Sequence, residues 1–136
     1  MDIAAAQAFL AENHRAVLAT HRADGSPQLS PVIVGIDPQG RAVISTRQTA
    51  FKTRNLRRDP RVWICATNNA FFGPWLQIDG TAEIVELPDA MEPLVEYYRS
   101  ISGEHSDWNE YRAAMEAERR VLLRVTITTV GPDRHG

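Results

Sequence analysis

Apolar residues recur along this chain at two different spacings, and the spacing separates helices from strands. Residues 2–13 place apolar side chains at helical intervals, with Asp2 ahead of them as a candidate N-cap. Three apolar, strand-like segments follow, RAVLAT, QLSPVIVGI and RAVIST, separated by the turn sequences RADGSP and DPQG. These links are too short for crossover helices, so the pattern predicts an antiparallel three-strand meander.

The second half of the chain also alternates helices and strands. TAFKTRNLRR predicts a helix over residues 49–58, bounded by Thr49 and by the proline after RRD. RVWICAT and WLQIDGTAEIVE predict two strands, and RVLLRVTITTV predicts the last one. Between them lie a helix opened by Pro88, in LPDAMEPLVEYYRSI, and a helix in SDWNEYRAAMEAERR with Ser106 or Asp107 as its cap.

About six antiparallel strands with a few flanking helices predict a mainly β (α+β) fold, a small six-stranded antiparallel barrel. Pro31 lies inside the second strand segment. Because proline cannot donate to a β-ladder, we expect an edge or a bulge there. No break in composition, repeat or low-complexity segment divides residues 1–136, which predicts a single domain.

The composition, 43% hydrophobic and 24% charged, is typical of a globular protein. No apolar run approaches the roughly 20 residues of a membrane span, so no membrane partner is expected. The first residues lack the basic and apolar regions of a secretory signal, and the single cysteine, Cys65, excludes an internal disulfide. A cytoplasmic location is therefore expected.

Positive charge is concentrated in one stretch, residues 45–62. It holds six cations and one acid, Asp59, and it contains the only lysine of the chain, Lys52. The segment carries +5 and the remainder −7, for a net charge of −2 and a pI near 6.1. Nucleic-acid binders usually spread positive charge over a whole face and are often basic overall. A nucleic-acid partner is therefore disfavoured.

The basic stretch begins at a strand-to-helix junction, which is a natural anion site. The first helical amides have no intrahelical partner, and the helix dipole is positive at this end. Lys52 falls in the first turn, near the hydroxyls of Ser45, Thr46 and Thr49. A phosphate monoester would be held there by a cation, hydroxyls and amides together. The alternative is a solvated helix face, which is the ordinary interpretation of Arg54, Arg57, Arg58 and Arg61.

The run ISTRQTAFKTRNLRRDPRV, with SPQLSPV one strand earlier and WLQIDGTAEIV one strand later, resembles the pyridoxamine-phosphate-oxidase-like split β-barrels. The likeness is greater to the actinobacterial flavin and deazaflavin oxidoreductases, many of which use coenzyme F420. It covers nearly the whole chain, from AVLATHRADGSPQLSP to VLLRVTI, and its most specific part is Lys52 with Asn55 to Pro60 behind it.

The resemblance implies an F420-dependent oxidoreductase, a homodimer with the cofactor site at its interface. Lys52 would hold the cofactor phosphate, and Trp75 falls where family members supply a residue beside the ring. The other cofactor-binding residues that it implies are Gln28, Ser30, Pro31, Val32, Ser45, Thr46, Arg47 and Asn55. The substrate would be a small organic acceptor that takes a hydride from the reduced cofactor.

One departure from the family pattern bears on the cofactor. Many FMN-binding members have an arginine directly before this lysine, and here the position is Phe51. Loss of one charged hydrogen bond, about 1.5–3 kcal/mol, would weaken FMN retention by an order of magnitude or more. The nearby arginines suit the longer anionic tail of F420, so the resemblance favours F420, with FMN as the alternative.

Other candidate functional residues have less specific sequence signals. The loop NNAFFGPW, which includes Phe71 to Trp75, predicts either a pocket wall or a dimer contact, and His105 either a proton donor or a helix-capping residue. Cys65 is expected in the core, and the histidines have no metal-ligand spacing. Rival functions are an FMN enzyme of the same fold, a cofactor carrier without turnover and a basic-helix interaction module.

Overall fold

A computed structural model describes residues 1–135, and ten helices and strands follow one another along them. They are α1 (Ile3–Glu12), β1 (Arg15–His21), β2 (Pro27–Ile36), β3 (Ala42–Arg47), α2 (Phe51–Arg58), β4 (Arg61–Thr67), β5 (Pro74–Val85), α3 (Met91–Ser102), α4 (Trp108–Ala117) and β6 (Arg120–His135).

The strands form one closed barrel in the order β1-β2-β3-β6-β5-β4, with every neighbouring pair antiparallel. This confirms the predicted mainly β, six-stranded barrel with flanking helices. The meander supplies three neighbouring strands, and β6 returns along β3 to close the sheet. Closure therefore depends on a pairing between segments that are far apart in the sequence.

Alternate residues of each strand fill the barrel. Leu18, Ile44, Ile64, Ile78 and Leu123 are among the side chains buried in this interior. A second apolar cluster forms outside the barrel, where α3 and α4 cover the outer faces of β3 and β6. These two helices are thus held against the sheet beside the place where β2 and β3 separate.

The barrel is split between β2 and β3. Only Val34, Gly35 and Ile36 pair with β3, whereas the preceding residues of β2, from Pro27 to Ile33, pair with β1 alone. The expectation of an edge at Pro31 is confirmed, because one side of β2 has no strand neighbour there. Beyond Val34 and Ile44 the two strands diverge and leave an opening.

Some helix boundaries differ from the prediction. Helix α2 begins at Phe51 rather than Thr49: Ala50 is the N-cap without a side-chain hydrogen bond, and its amide closes a turn onto the Arg47 carbonyl. Helix α3 begins at Met91 rather than Pro88. The caps Asp2 and Asp107 are confirmed, since their carboxylates accept from amides in the first turns of α1 and α4. Within the described residues, no helix has the length and apolar character needed to cross a membrane.

Candidate functional site

The opening between β2 and β3 leads into a cleft of about 760 Å³, which we call the split cleft. Pro31, Val32 and Ile33 line it from β2, and Ser45 and Thr46 from β3. The helices and the start of β6 form its opposite wall. The remaining lining residues are Arg15, Ala16, Lys52, Tyr97, Tyr98, Tyr111, Met115, Glu118 and Arg120.

The backbone of β2 presents an unusual edge to the split cleft. The Val34 amide donates to the His14 carbonyl at 2.9 Å. Because backbone polar groups alternate in direction along an antiparallel strand, those of Val32 and Ser30 also point towards β1. Those of Leu29, Pro31 and Ile33 point towards the opening. Side chains replace the missing strand at two of these positions: the Leu29 carbonyl accepts from Gln28 Nε2 at 3.0 Å, and the Ile33 carbonyl accepts from the Tyr97 hydroxyl. At the third, Pro31 has no N–H to satisfy.

Tyr97 spans the apex of the split. Its hydroxyl donates to the Ile33 carbonyl at 2.7 Å. Burial raises the pKa of Tyr97, and hydrogen bonding from the Ser45 backbone acts in the opposite direction. Tyr97 therefore lies between the two diverging strands and closes the end of the split cleft with a hydrogen-bonded ring.

A smaller recess of about 440 Å³ adjoins the split cleft, and we call it the anion recess. It is lined by Thr46, Arg47, Thr49, Ala50, Lys52 and Arg120. Desolvation lowers the pKa of Lys52, and the charge of Arg120 lowers it further. The two cations thus lie close enough to repel each other, beside the hydroxyl of Thr49 and the first turn of α2. An anion would relieve this repulsion.

Arg120 is the cation of the anion recess that sequence reasoning missed. It opens β6 and pairs in register with Arg47, the last residue of β3. Its guanidinium donates to Glu118 Oε1 at 3.0 and 2.8 Å, and this contact lowers the pKa of Glu118. Arg47 also reaches Glu118, at 3.4 Å. One carboxylate is therefore shared by two arginines, and Lys52 is left with its charge uncompensated by any ion pair in residues 1–135.

The structure brings together six of the residues that the resemblance predicted. Lys52, Thr46 and Arg47 line the anion recess, and Pro31, Val32 and Ser45 line the split cleft together with Lys52 and Thr46. They come from three separate segments, which meet because β2 and β3 diverge at the place where α2 begins.

Four predicted residues do not line either space. Gln28 supports the edge of β2, and the Ser30 hydroxyl is buried with no hydrogen-bond partner among the described residues. Asn55 is buried, donates to the Thr20 hydroxyl at 3.1 Å and accepts from Arg58 at 3.2 Å. It anchors α2 to β1, and this accounts for its place in the motif.

Trp75 is the fourth. It lies near the start of β5, paired with Thr67 of β4, and does not line the split cleft. In the closed barrel β6 separates β5 from β3, and β4 and β1 separate it from β2, so within one chain Trp75 lies on neither of the strands that border the split.

The arginines of α2 and the turn after it are mostly engaged by the protein itself. Arg57 pairs with Glu86 at 2.7 Å, Arg58 donates to the His21 carbonyl at 2.6 Å, and Arg61 pairs with Asp59 at 2.8 Å. Arg61 holds the pKa of Asp59 well below its usual range. Arg54 lies 5.4 Å from the ring centroid of Phe51, which is 69% exposed. The basic stretch therefore has two parts. Residues 46–52 contribute to the anion recess, and the arginines after them make contacts on the protein surface.

His105 and Cys65 have roles that their sequence context left open. The His105 Nδ1 accepts the Asp107 amide at 2.9 Å and its ring packs on Tyr98, so the capping interpretation is confirmed. The expectation that Cys65 is a core residue is wrong. Strand alternation turns Ile64 and Ala66 inward and leaves Cys65 on the outer face.

The outer face of β1 and β2 carries a set of exposed apolar side chains beside the split cleft. We call Val17, Leu29, Pro31 and Ile33 the outer apolar patch; Leu29 is 62% exposed and Ile33 56%. Strand register places Val17 opposite Pro31 and next to Cys65 of β4. A contiguous apolar surface of this kind is typical of an interaction site.

Comparison with known proteins gives a family match and similar structures. The family model described as pyridoxamine 5'-phosphate oxidase matches residues 3–132. A conserved hypothetical protein from Mycobacterium tuberculosis is 26% identical, with a TM-score of 0.78 over 96% of this chain and 82% of that one. An F420 reductase is 22% identical, with a TM-score of 0.70 over 92% of this chain and 94% of that one. A heme binding protein from Mycobacterium smegmatis is 19% identical, with a TM-score of 0.71 over 100% of this chain and 58% of that one. The last two likenesses show the shared fold.

Proposed function

We propose that this chain, which belongs to the pyridoxamine 5'-phosphate oxidase family, binds coenzyme F420 in the split cleft and uses it to reduce a small organic acceptor. The fold is that of flavin- and deazaflavin-binding oxidoreductases. The single observation that carries the proposal is the convergence of Lys52 and Arg120 on one recess at the end of an open strand edge.

The residues present fit both the phosphate and the ring of such a cofactor. Lys52, Arg120 and the Thr49 hydroxyl would hold the phosphate, where charge-assisted hydrogen bonds are strongest. A volume of about 760 Å³ is within the ordinary range for small-molecule sites and suits a flavin-type ring.

When bound, the cofactor supplies hydride chemistry: two electrons and one proton pass to the acceptor, and a proton from water completes its reduction. The protein's own residues orient and shield the reactants. Leu29, Pro31 and Ile33 present the edge of β2 that has no strand neighbour. Tyr97 closes the apex of the split, and Met115 and Tyr111 exclude water from the helical wall.

FMN is the second candidate, and Arg120 is the observation that favours it. Sequence reasoning took Phe51 to mean that the second phosphate cation was missing. The structure supplies another cation from β6, whose charge acts on Lys52. The loss of affinity for FMN inferred from Phe51 is therefore offset, and the choice between F420 and FMN has to be made by binding.

The proposal includes a homodimer with the site at its interface. The outer apolar patch borders the split cleft, since Pro31 and Ile33 belong to both. A second copy seated on this patch would bury exposed apolar area and cover the open side of the split cleft. Trp75, which is remote from the split cleft in its own chain, would then be available to the other copy's site.

The test is a titration of the purified protein with F420 and with FMN, followed by ligand fluorescence. F420 binding more tightly than FMN supports the proposal, FMN binding more tightly supports the second candidate, and saturable binding of neither contradicts both. Reduced cofactor is then mixed with quinones, tetrapyrroles and enones. Cofactor oxidation that depends on one of these acceptors distinguishes an enzyme from a carrier without turnover.

A further inference from the structure

Arg15 is a third cation of the split cleft, separate from the pair in the anion recess. It opens β1, and its side chain lines the split cleft beside Ala16. Glu118, the acid among the lining residues, is engaged by Arg120 at 2.8 Å. None of the ion pairs within residues 1–135 includes Arg15, so its charge is uncompensated by any described carboxylate.

Arg15 lines the split cleft but does not line the anion recess. Strand register pairs it with Ile33, directly before Val34, where β2 and β3 begin to diverge. The residues that the split cleft shares with the anion recess are Thr46, Lys52 and Arg120. A cofactor phosphate held in the anion recess therefore leaves Arg15 free.

The helical wall beside Arg15 is aromatic and has few free donors. The Tyr97 hydroxyl donates to the Ile33 carbonyl at 2.7 Å, and the Tyr111 hydroxyl donates to the Leu94 carbonyl at 2.8 Å. Both rings are thus fixed by the protein, with their polar ends already bonded. Tyr98 packs on Tyr111 at 5.1 Å between ring centroids. Tyr111 is buried, so Tyr98 offers the apolar contact on this wall, and polar recognition is left to the guanidinium.

We propose that the acceptor substrate is a planar aromatic carboxylate, whose ring lies against Tyr98 and whose anionic group pairs with Arg15. A guanidinium matches a carboxylate with two parallel N–H···O bonds, which selects for this group over a neutral one. The inference rests on the proposed function, because it takes the rest of the split cleft to be filled by the cofactor.

The experiment uses full-length protein saturated with whichever of F420 and FMN it binds. The probes are 2-naphthoate and 2-naphthamide, which share a ring system and differ in charge, and their dissociation constants are measured by calorimetry. Wild-type protein is expected to bind 2-naphthoate at least about tenfold more tightly, the effect of one charged hydrogen bond. Arg15→Gln removes this preference, and Arg15→Lys retains most of it.

Arg22→Gln is the matched control, since Arg22 bonds within the turn after β1, donating to the Pro27 carbonyl at 2.9 Å, and does not line the split cleft. Its preference is expected to equal the wild type. Equal affinity for the two probes, no binding of either, or a preference that survives in Arg15→Gln overturns the inference.

Cofactor affinity separates this inference from the proposed function. Arg15→Gln is expected to bind cofactor as the wild type does. Weaker cofactor binding in that variant, or a changed molecular mass, overturns the inference by making Arg15 a cofactor or subunit contact. A wild-type protein that binds neither F420 nor FMN overturns the proposed function and removes the basis of this inference with it.

Discussion

Replacing Lys52 with glutamine should separate binding from folding stability. Lys52 lies in the anion recess. Desolvation lowers its pKa, and the nearby positive charge of Arg120 adds a smaller decrease. The change removes one charge-assisted hydrogen bond to a phosphate, about 1.5–3 kcal/mol. Cofactor affinity should therefore fall by about 10- to 150-fold.

The same substitution should not destabilise the cofactor-free protein. Because the folded-state pKa of Lys52 is below the unfolded value, the folded protein binds fewer protons in the interval between them. Its stability should rise with pH through that interval, as the ammonium loses its proton. Lys52→Gln removes this dependence, so its melting temperature at neutral pH should equal or exceed that of the wild type.

The assay is a fluorescence titration with the tighter-binding of F420 and FMN, together with calorimetric melting of the cofactor-free proteins at several pH values. Arg57→Gln is the matched control, with the same loss of charge on the same helix but in a side chain paired with Glu86. An unchanged affinity in Lys52→Gln, or an equal loss of affinity in the control, would refute the assignment of the anion recess.

Three further changes test the surrounding structure. Tyr97→Phe removes the hydroxyl that bonds Ile33 across the split and should cost about 0.5–1.5 kcal/mol of unfolding free energy in urea. Asn55→Ala leaves the buried Thr20 hydroxyl without its donor and should cost about 1–3 kcal/mol, with cofactor affinity unchanged. Leu29→Asp places a charge in the outer apolar patch and should convert a dimer into a monomer in sedimentation velocity.

Each of these changes has an outcome that would count against it. A Tyr97→Phe protein with wild-type stability would show that the hydroxyl does not hold the split. A specific loss of cofactor affinity in a stable Asn55→Ala protein would return that residue to the binding site. A monomeric wild-type protein, or a Leu29→Asp variant that keeps the wild-type mass, would contradict the proposed interface.

Local patterns predicted most of the fold because most of its elements are local. The turns RADGSP and DPQG join β1, β2 and β3 directly, and side-chain alternation fixes which residues enter the barrel. Closure could not be predicted in the same way, since it depends on β6 pairing with β3, a strand that lies far earlier in the chain. Cys65 shows the limit of reading a short apolar run, because its neighbours are buried and it is not.

In the candidate site, too, the residues set by local sequence were predictable and those set by long-range pairing were not. Lys52 and Thr46 were predictable because a strand end and a helix start are adjacent in the sequence. Arg120 reaches the same recess only through the β3–β6 pairing, and nothing in its local context marks it beyond its place at the start of the last strand. Asn55 was predicted at the cofactor site with the motif around it, and in the structure it donates to the Thr20 hydroxyl and links α2 to β1.

A crystal structure of the protein grown with coenzyme F420 tests the central claim most directly. We expect phosphate oxygens about 3 Å from Lys52 Nζ and from the Arg120 guanidinium, with the ring in the split cleft between β2 and β3. A phosphate bound away from both cations, or a ring lying outside the split cleft, would contradict it.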